Sequence, residues 1–396
     1  MRLLLFLIFS LLFSLANHTV SDAQQRARDL GITPGILQPG PLNAITDVEG
    51  VQVGHVTRIE GDDIRTGVTA ILPHDGNLFR DRVPAAVYVG NGFGKALGFT
   101  QVQELGELET PIALTNTLDI FQIAHGVADV VLSYPENRTV RSVNPVVGET
   151  NDGYLHNIRK RALTPDDARH AIEAAASGAV AEGNTGAGTG TRALGFKGGI
   201  GTSSRVLPEN RGGYTVGVLV QANFGGILTI DGVPVGEELN RHYMAGNRSG
   251  QSFSEQMAAA DTGYDFDVDG SVMIVVATDA PLTSRNLERL AKRAFLGIAR
   301  VGGFASNGSG DYVIAFSTAE EVRIRTGNEK PLHHHAELRN SDTTPLFLAA
   351  LEATEEAILN ALFAADDMTG HEGRSEQALP VDEVLEIIKR YKTDGD

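Results

Sequence analysis

No cysteine and no tryptophan occur in this chain. The first absence excludes disulfides, thiolate catalysis and zinc or iron–sulfur sites held by cysteine. It also excludes a lipoprotein anchor. Positive charge is in deficit: 33 Lys and Arg stand against 50 Asp and Glu, a net charge of −17. That balance argues against a nucleic-acid partner, because phosphate contacts need a basic patch. After the first residues no apolar run approaches the roughly 20 residues of a spanning helix. The 396 residues, with 42% hydrophobic and 21% charged, can bury a sizeable core and are read as one large domain. Glycine is abundant, 45 in all, so many backbone positions are turns or close approaches.

The chain opens with Met1-Arg2, an apolar run from Leu3 to Ala16 and then Ser21-Asp22-Ala23. This is the pattern of a secretory signal peptide, residues 1–23, cut near Ala23. The expected product is exported, periplasmic or secreted, with no membrane span after cleavage. Residues 24–44 are Gly/Pro-rich and read as a leader over the surface. Short β-like runs follow at 51–53, 66–72 and 85–89. The Gly-rich stretch 90–95 lacks the spacing of a phosphate-binding loop and reads as a turn. A helix is expected over 165–180, with Thr164 as cap and Pro165 at its first position. Strands are expected at 214–223, 271–278 and 312–316, and helices at 282–300, 345–363 and 381–391. Strands and helices mix without strict alternation, which favours an α+β fold. The segment GNTGAGTGTRALGFKGGIGTSSR, 183–205, is either a tight structural loop or a ligand cradle.

Asp269-Gly270-Ser271 stands immediately before a buried strand. A glycine there leaves its carbonyl open, and the Ser271 hydroxyl can attack it. The resulting ester can be cut by water. The new N-terminal Ser271 then carries a nucleophile and, in its own α-amine of pKa about 7.7–8, a base. Taken alone, the same three residues also read as an ordinary turn into a strand. In Asn307-Gly308-Ser309-Gly310-Asp311, a strand that begins by Ser309 places Ser309 and Asp311 on one face, where hydroxyl and carboxylate can relay hydrogen bonds; taken alone, the segment also reads as an Asn-Gly turn. Asn223, at the end of an apolar strand, can donate its amide to an oxyanion. Glu149 can hold a substrate ammonium by charge, and Tyr154 of the same segment is a further candidate for substrate binding; taken alone, Asn223 and Glu149 also read as residues of solvated loops. Adjacent residues His333, His334 and His335 share no face and read as a polar loop rather than a metal site.

The Gly-Ser before the Val/Ile strand, the ATDAPL that follows it, NGSGD, GTGTRALGFKGGIGTSSR and VLVQANFG occur together in one order. Together they resemble the L-aminopeptidase D-Ala-esterase/amidase family, which includes the β-peptidyl aminopeptidases. The likeness runs from about Gly31 to Gly370. It implies a four-layer αββα sandwich similar to ornithine acetyltransferase and a self-processing N-terminal-nucleophile serine peptidase. It implies a precursor split between Gly270 and Ser271 into an α chain, 24–270, and a β chain, 271–396. Oligomers of such heterodimers, commonly tetramers, and no metal or organic cofactor are implied too. Ser271 then corresponds to the nucleophile, Ser309 and Asp311 to its supporting pair, Asn223 to the oxyanion residue and Glu149 to the receptor of the substrate amine. Some β-peptidyl members have Glu where this chain has Asp311. The expected substrates are short peptides, amino-acid amides or esters. Acyl transfer to an amine and ligand binding by an uncut chain are the alternatives.

Overall fold

The computed structural model describes residues 25–245, 270–327, 332 and 334–393. The expected signal segment, Asp269 and His333 lie outside the described residues. The strands in chain order are β1 (Gln52–Glu60), β2 (Ile64–Leu72), β3 (Asp81–Gly92), β4 (Ala96–Leu97), β5 (Glu107–Leu108), β6 (Ile112–Asn116), β7 (Val146–Thr150), β8 (Arg192–Ala193), β9 (Phe196–Lys197), β10 (Gly199–Val206), β11 (Thr215–Asn223), β12 (Ser271–Thr278), β13 (Gly310–Ser317) and β14 (Ile324–Arg325).

One sheet has the order β1-β2-β6-β7-β4 and a second the order β10-β11-β12-β13-β3-β14, with β5 paired to β3. Strand alternation explains the stacking. In β12, Met273, Val275 and Ala277 share a core with Ile71, Ile112, Leu114 and Val146 of the first sheet. The intervening Val272, Ile274 and Val276 share another core with Leu290, Ala294, Ala357 and Ile358. Residues of β12 are therefore buried on both faces, and the strand is continuously apolar. Helices Ser284–Arg300 and Thr344–Phe363 cover the outer face of the second sheet, and Ile120–Ser133 and Pro165–Glu173 that of the first. The result is the αββα sandwich.

Two expectations need correction. The helix at Pro165 begins as read, with the Asp167 carboxylate accepting from the Thr164 N–H at 2.8 Å and hydroxyl at 2.9 Å, but it ends at Glu173. Its continuation is captured by a sheet edge: Ala176 and Val53 exchange backbone hydrogen bonds of 3.0 and 3.1 Å. The leader does not lie loosely over the surface either. Ala27 and Ile32 are buried, and Arg28 reaches Glu356 at 2.9 Å. Glu356 also pairs with the fully buried Arg205 at 2.8 Å, so the leader completes a buried ionic cluster whose members cannot be left unpaired cheaply. Gln221, Gly217 and the other β11 residues are all buried. No described helix is long and apolar enough to cross a membrane.

Candidate active site

The site lies where the ends of four neighbouring strands meet. Asn223 on β11 pairs in register with Ser271, the first residue of β12. Ser271 pairs with Gly310, the first residue of β13, and Gly310 pairs with Gly92 at the end of β3. Three segments far apart in sequence are thus fixed by sheet hydrogen bonds around one hydroxyl.

Ser271 is 4% exposed. Its Oγ donates to the Gly270 carbonyl at 2.5 Å and accepts from the Gly310 N–H at 3.2 Å. The same Gly310 N–H lies 3.1 Å from the Gly270 carbonyl oxygen. The hydroxyl therefore rests against the carbonyl of its own preceding peptide bond, and a backbone donor polarises that carbonyl. Only glycine fits at 270: a Cβ there would stand 2.0 Å from the Asn223 carbonyl oxygen.

Asn223 is held in one orientation. Its Oδ1 accepts from the Arg192 N–H at 2.9 Å, and its Nδ2 donates to the Asn151 carbonyl at 3.1 Å. One partner can only donate and the other only accept, so the amide cannot be flipped. Its second N–H stays available. Arg192 belongs to the Gly-rich loop, whose residues 192–195 line the cavity. That loop is anchored by Lys197, which sequence reasoning passed over. Its ammonium nitrogen donates to the carbonyls of Gly188 at 3.0 Å and Gly198 at 2.7 Å. Burial pulls its pKa down to about 7. A lysine in such a glycine-dense segment was the available signal.

Glu149, near the end of β7, is 2% exposed. Its carboxylate accepts from the Lys95 N–H at 2.8 Å and from the Thr117 hydroxyl, with the Lys95 ammonium 3.9 Å away. The stretch read as a turn at 90–95 is thus part of the site, and Phe93 and Lys95 line it. The missed signal is positional: β3 ends beside β13, which cannot be seen from its own residues. Tyr154 also lines the cavity, with the guanidiniums of Arg192 and Arg374 against its ring. The cavity has a volume of about 500 Å³ and reaches Ser271, Asn223 and Glu149, a size ordinary for small-molecule sites.

Ser309 and Asp311 are both 1% exposed, and the Ser309 hydroxyl donates to Asp311 Oδ1 at 2.6 Å. They share a face as expected, although β13 starts at Gly310. They do not line the cavity: the Gly310 N–H, lodged between them in sequence, is what touches Ser271 Oγ. Asn91 secures this loop by donating to the carbonyls of Ser306 at 2.9 Å and Ser309. His334 and His335 are exposed.

Burial raises the Asp311 pKa to about 6, opposed by the Ser309 hydroxyl and the Val272 backbone. Since the folded pKa exceeds the usual 3.8, the folded protein holds the extra proton between these values. The contribution of Asp311 to stability therefore falls as pH rises from about 4 to about 6 and is constant beyond, a span of at most about 3 kcal/mol. In the Ser271→Ala background, where no new amine confuses the titration, Asp311→Asn removes this loss. The expected result is a stability gain over the Asp311 form that grows from pH 4 to pH 6. Denaturant melts across that range check it; a pH-independent difference would show that Asp311 ionises normally.

Residues 43–376 match peptidase family S58. A β-peptidyl aminopeptidase of Sphingosinicella microcystinivorans is 44% identical over 382 residues, covering 93% of this chain and 92% of the relative. The solved β-aminopeptidase of a Burkholderia species superposes with a TM-score of 0.81 at 39% identity, covering 92% of this chain and 99% of that one. The L-aminopeptidase D-Ala-esterase/amidase of Ochrobactrum anthropi, described as a prototype of the serine aminopeptidases with a variant of the Ntn hydrolase fold, superposes at 0.80 with 37% identity, covering 93% and 99%.

Proposed function

This chain belongs to peptidase family S58 and is a serine aminopeptidase of the N-terminal-nucleophile kind, and from that premise we propose that it is exported, cuts itself between Gly270 and Ser271, and then releases the N-terminal residue of short peptides, amides or esters. The observation that carries this reading is the Ser271 hydroxyl seated 2.5 Å from the Gly270 carbonyl oxygen. In the first step Oγ bonds to the Gly270 carbonyl carbon, the Gly270–Ser271 C–N bond breaks, and the proton moves to the departing nitrogen. The Gly310 N–H supports the oxyanion. Water then hydrolyses the ester, leaving a Gly270 carboxylate and a Ser271 with a free amine and hydroxyl.

The mature site repeats the chemistry on a substrate. Glu149 receives the substrate ammonium, and Ser271 Oγ attacks the scissile carbonyl while its own α-amine takes the proton. The Asn223 amide and the Gly310 N–H are the oxyanion donors. The proton passes to the leaving amine, and water hydrolyses the acyl-enzyme. Ser309 and Asp311 sit behind the loop that supplies Gly310 and hold that donor in place. Heterodimers associated in an oligomer accord with this reading. Family membership makes the chain an enzyme and so sets aside a non-enzymatic binding protein.

The decisive measurement is the intact mass of the purified protein under denaturing conditions. With residues 1–23 removed from the 42.1 kDa chain, residues 24–270 and 271–396 form pieces of about 26 and 13 kDa by mean residue mass. Two such masses, the smaller beginning at Ser271 and the larger at residue 24, are expected; an active preparation with a single uncut mass refutes the reading. A second expectation concerns Gly270→Ala. Its Cβ would displace the Asn223 carbonyl, and a misplacement near 1 Å can cost about 10²-fold in rate. Self-cleavage should slow at least that much in a chain whose circular dichroism is unchanged, timed on denaturing gels.

A further inference from the structure

We infer that the end of the cavity beyond Asn223 is a carboxylate receptor made of Arg192 and Arg374 on the ring of Tyr154, so that the favoured leaving group is an amino acid with a free carboxylate and dipeptides are the best substrates. The inference deepens the function proposed above and rests on it.

Direction comes from the strand order. Glu149, the ammonium end, is tied to Lys95 and hence to the loop after β3, on the β13 side of Ser271. Arg192 is tied through its N–H to Asn223, on the β11 side of Ser271. A substrate whose amine sits at Glu149 and whose carbonyl meets Ser271 therefore sends its leaving group toward Arg192. There the Arg192 guanidinium carbon lies 3.8 Å from the Tyr154 ring centroid and that of Arg374 lies 5.4 Å from it. Both arginines line the cavity, and stacking on a ring presents a guanidinium edge-on to a ligand while restricting its motion.

The charges are not used up. Arg192 spends Nε on Glu376 at 2.5 Å, and its two terminal nitrogens have no protein acceptor among the described residues. Glu376 is shared, since it also takes Arg241 at 2.8 Å. Arg374 spends Nε on the His371 carbonyl at 3.1 Å and one terminal nitrogen on Glu372 at 3.1 Å. The Glu372 side chain is 68% exposed, so that pair is weakly held in water. Among the described residues, then, Arg192 keeps both terminal nitrogens and Arg374 commits one of its own only to a solvated carboxylate. A free carboxylate is the ligand that completes such a set, by paired charge-assisted hydrogen bonds. An amide at the same place presents a single neutral acceptor and a surplus donor.

The test uses the purified full chain and three leaving groups on one acyl residue. The acyl residue is whichever of L-alanyl and β-alanyl p-nitroanilide is turned over. If neither anilide is cleaved, the proposed aminopeptidase site fails and this inference with it. With that acyl residue, kcat/KM is compared for the dipeptide ending in L-alanine and for its C-terminal amide. Hydrogen bonds to a charged group predict an acid-to-amide ratio of about tenfold or more, expressed in KM. Arg374→Gln should bring the ratio near one and Arg374→Lys should restore part of it. The ratio cancels any general loss of activity, which a purely structural role would impose on both substrates equally. Anilide cleavage with a wild-type ratio near one, or a ratio that survives Arg374→Gln, overturns the receptor.

Discussion

Ser271→Ala is expected to yield one uncut chain and no aminopeptidase turnover, the largest effect any single side chain should have here. Losing the nucleophile of a site that works as a unit costs about 10⁴-fold or more in kcat. The variant should still fold, and the geometry says why. Among the described residues, Oγ makes hydrogen bonds with the Gly270 carbonyl and the Gly310 N–H alone. Those two already bond each other at 3.1 Å, so removing the hydroxyl orphans neither. A precursor of native circular dichroism that remains intact for days on denaturing gels is the anticipated outcome. Ser271→Cys should recover cleavage, because a thiol can make the same N-to-S shift. Cutting of the Ala variant at the same bond would mean that another group or a contaminating protease makes the cut.

Asn223→Ala should lower kcat by about 10²–10³ with little change in KM, the magnitude of losing one oxyanion donor. The amide is locked from both sides by the Arg192 N–H and the Asn151 carbonyl. A donor fixed before the reaction stabilises charge as it develops and needs no reorganisation. The same locks give the variant a second cost. An N–H and a carbonyl lose their partner in a part-buried place, which destabilises by about 1–3 kcal/mol each when water cannot replace it. Stability must therefore be measured beside the kinetics, and kcat taken where the variant is fully folded. A fall confined to KM would assign Asn223 to ground-state binding and leave Gly310 as the donor.

Much of the site could be read from short segments. Ser271, Asn223, Glu149 and Tyr154 all line one cavity, and Ser309 bonds Asp311 directly. These residues are recognisable because a nucleophile before a buried strand or a polar amide at the end of one is a local departure from apolar pattern. The strands β11, β12 and β13 were legible for the same reason: each is a continuous apolar run. The segment Ile120–Ser133 and strands β6 and β7 went unread. That helix has apolar residues on several sides and no side-chain cap, and β6 and β7 are five residues long, too short for periodicity to separate strand from helix. The end of the helix at Glu173 was misread because helix propensity continues through the following alanines while the edge of β1 takes their backbone. Lys95, Thr117, Lys197, Arg192 and Arg374 drew no notice, since each is an ordinary residue in its own neighbourhood.

Residue identity and pattern supply the chemical parts: a serine after a glycine at a strand start, an amide at a strand end, acids beside them, and enough apolar strand to bury them. They also determine the family, because these parts occur in one order over most of the chain. Only the tertiary structure decided how they meet. The register of β11, β12 and β13 puts Asn223, Ser271 and Gly310 side by side. It brings a backbone N–H, invisible in any residue list, against the Ser271 hydroxyl. The orientation of Asn223 and the placement of two arginines on Tyr154 depend on loops tens to hundreds of residues away. The reason is physical: side-chain identity and strand pattern are local properties, whereas hydrogen-bond direction and charge balance in a cavity are set by which distant backbones the two packed sheets bring together.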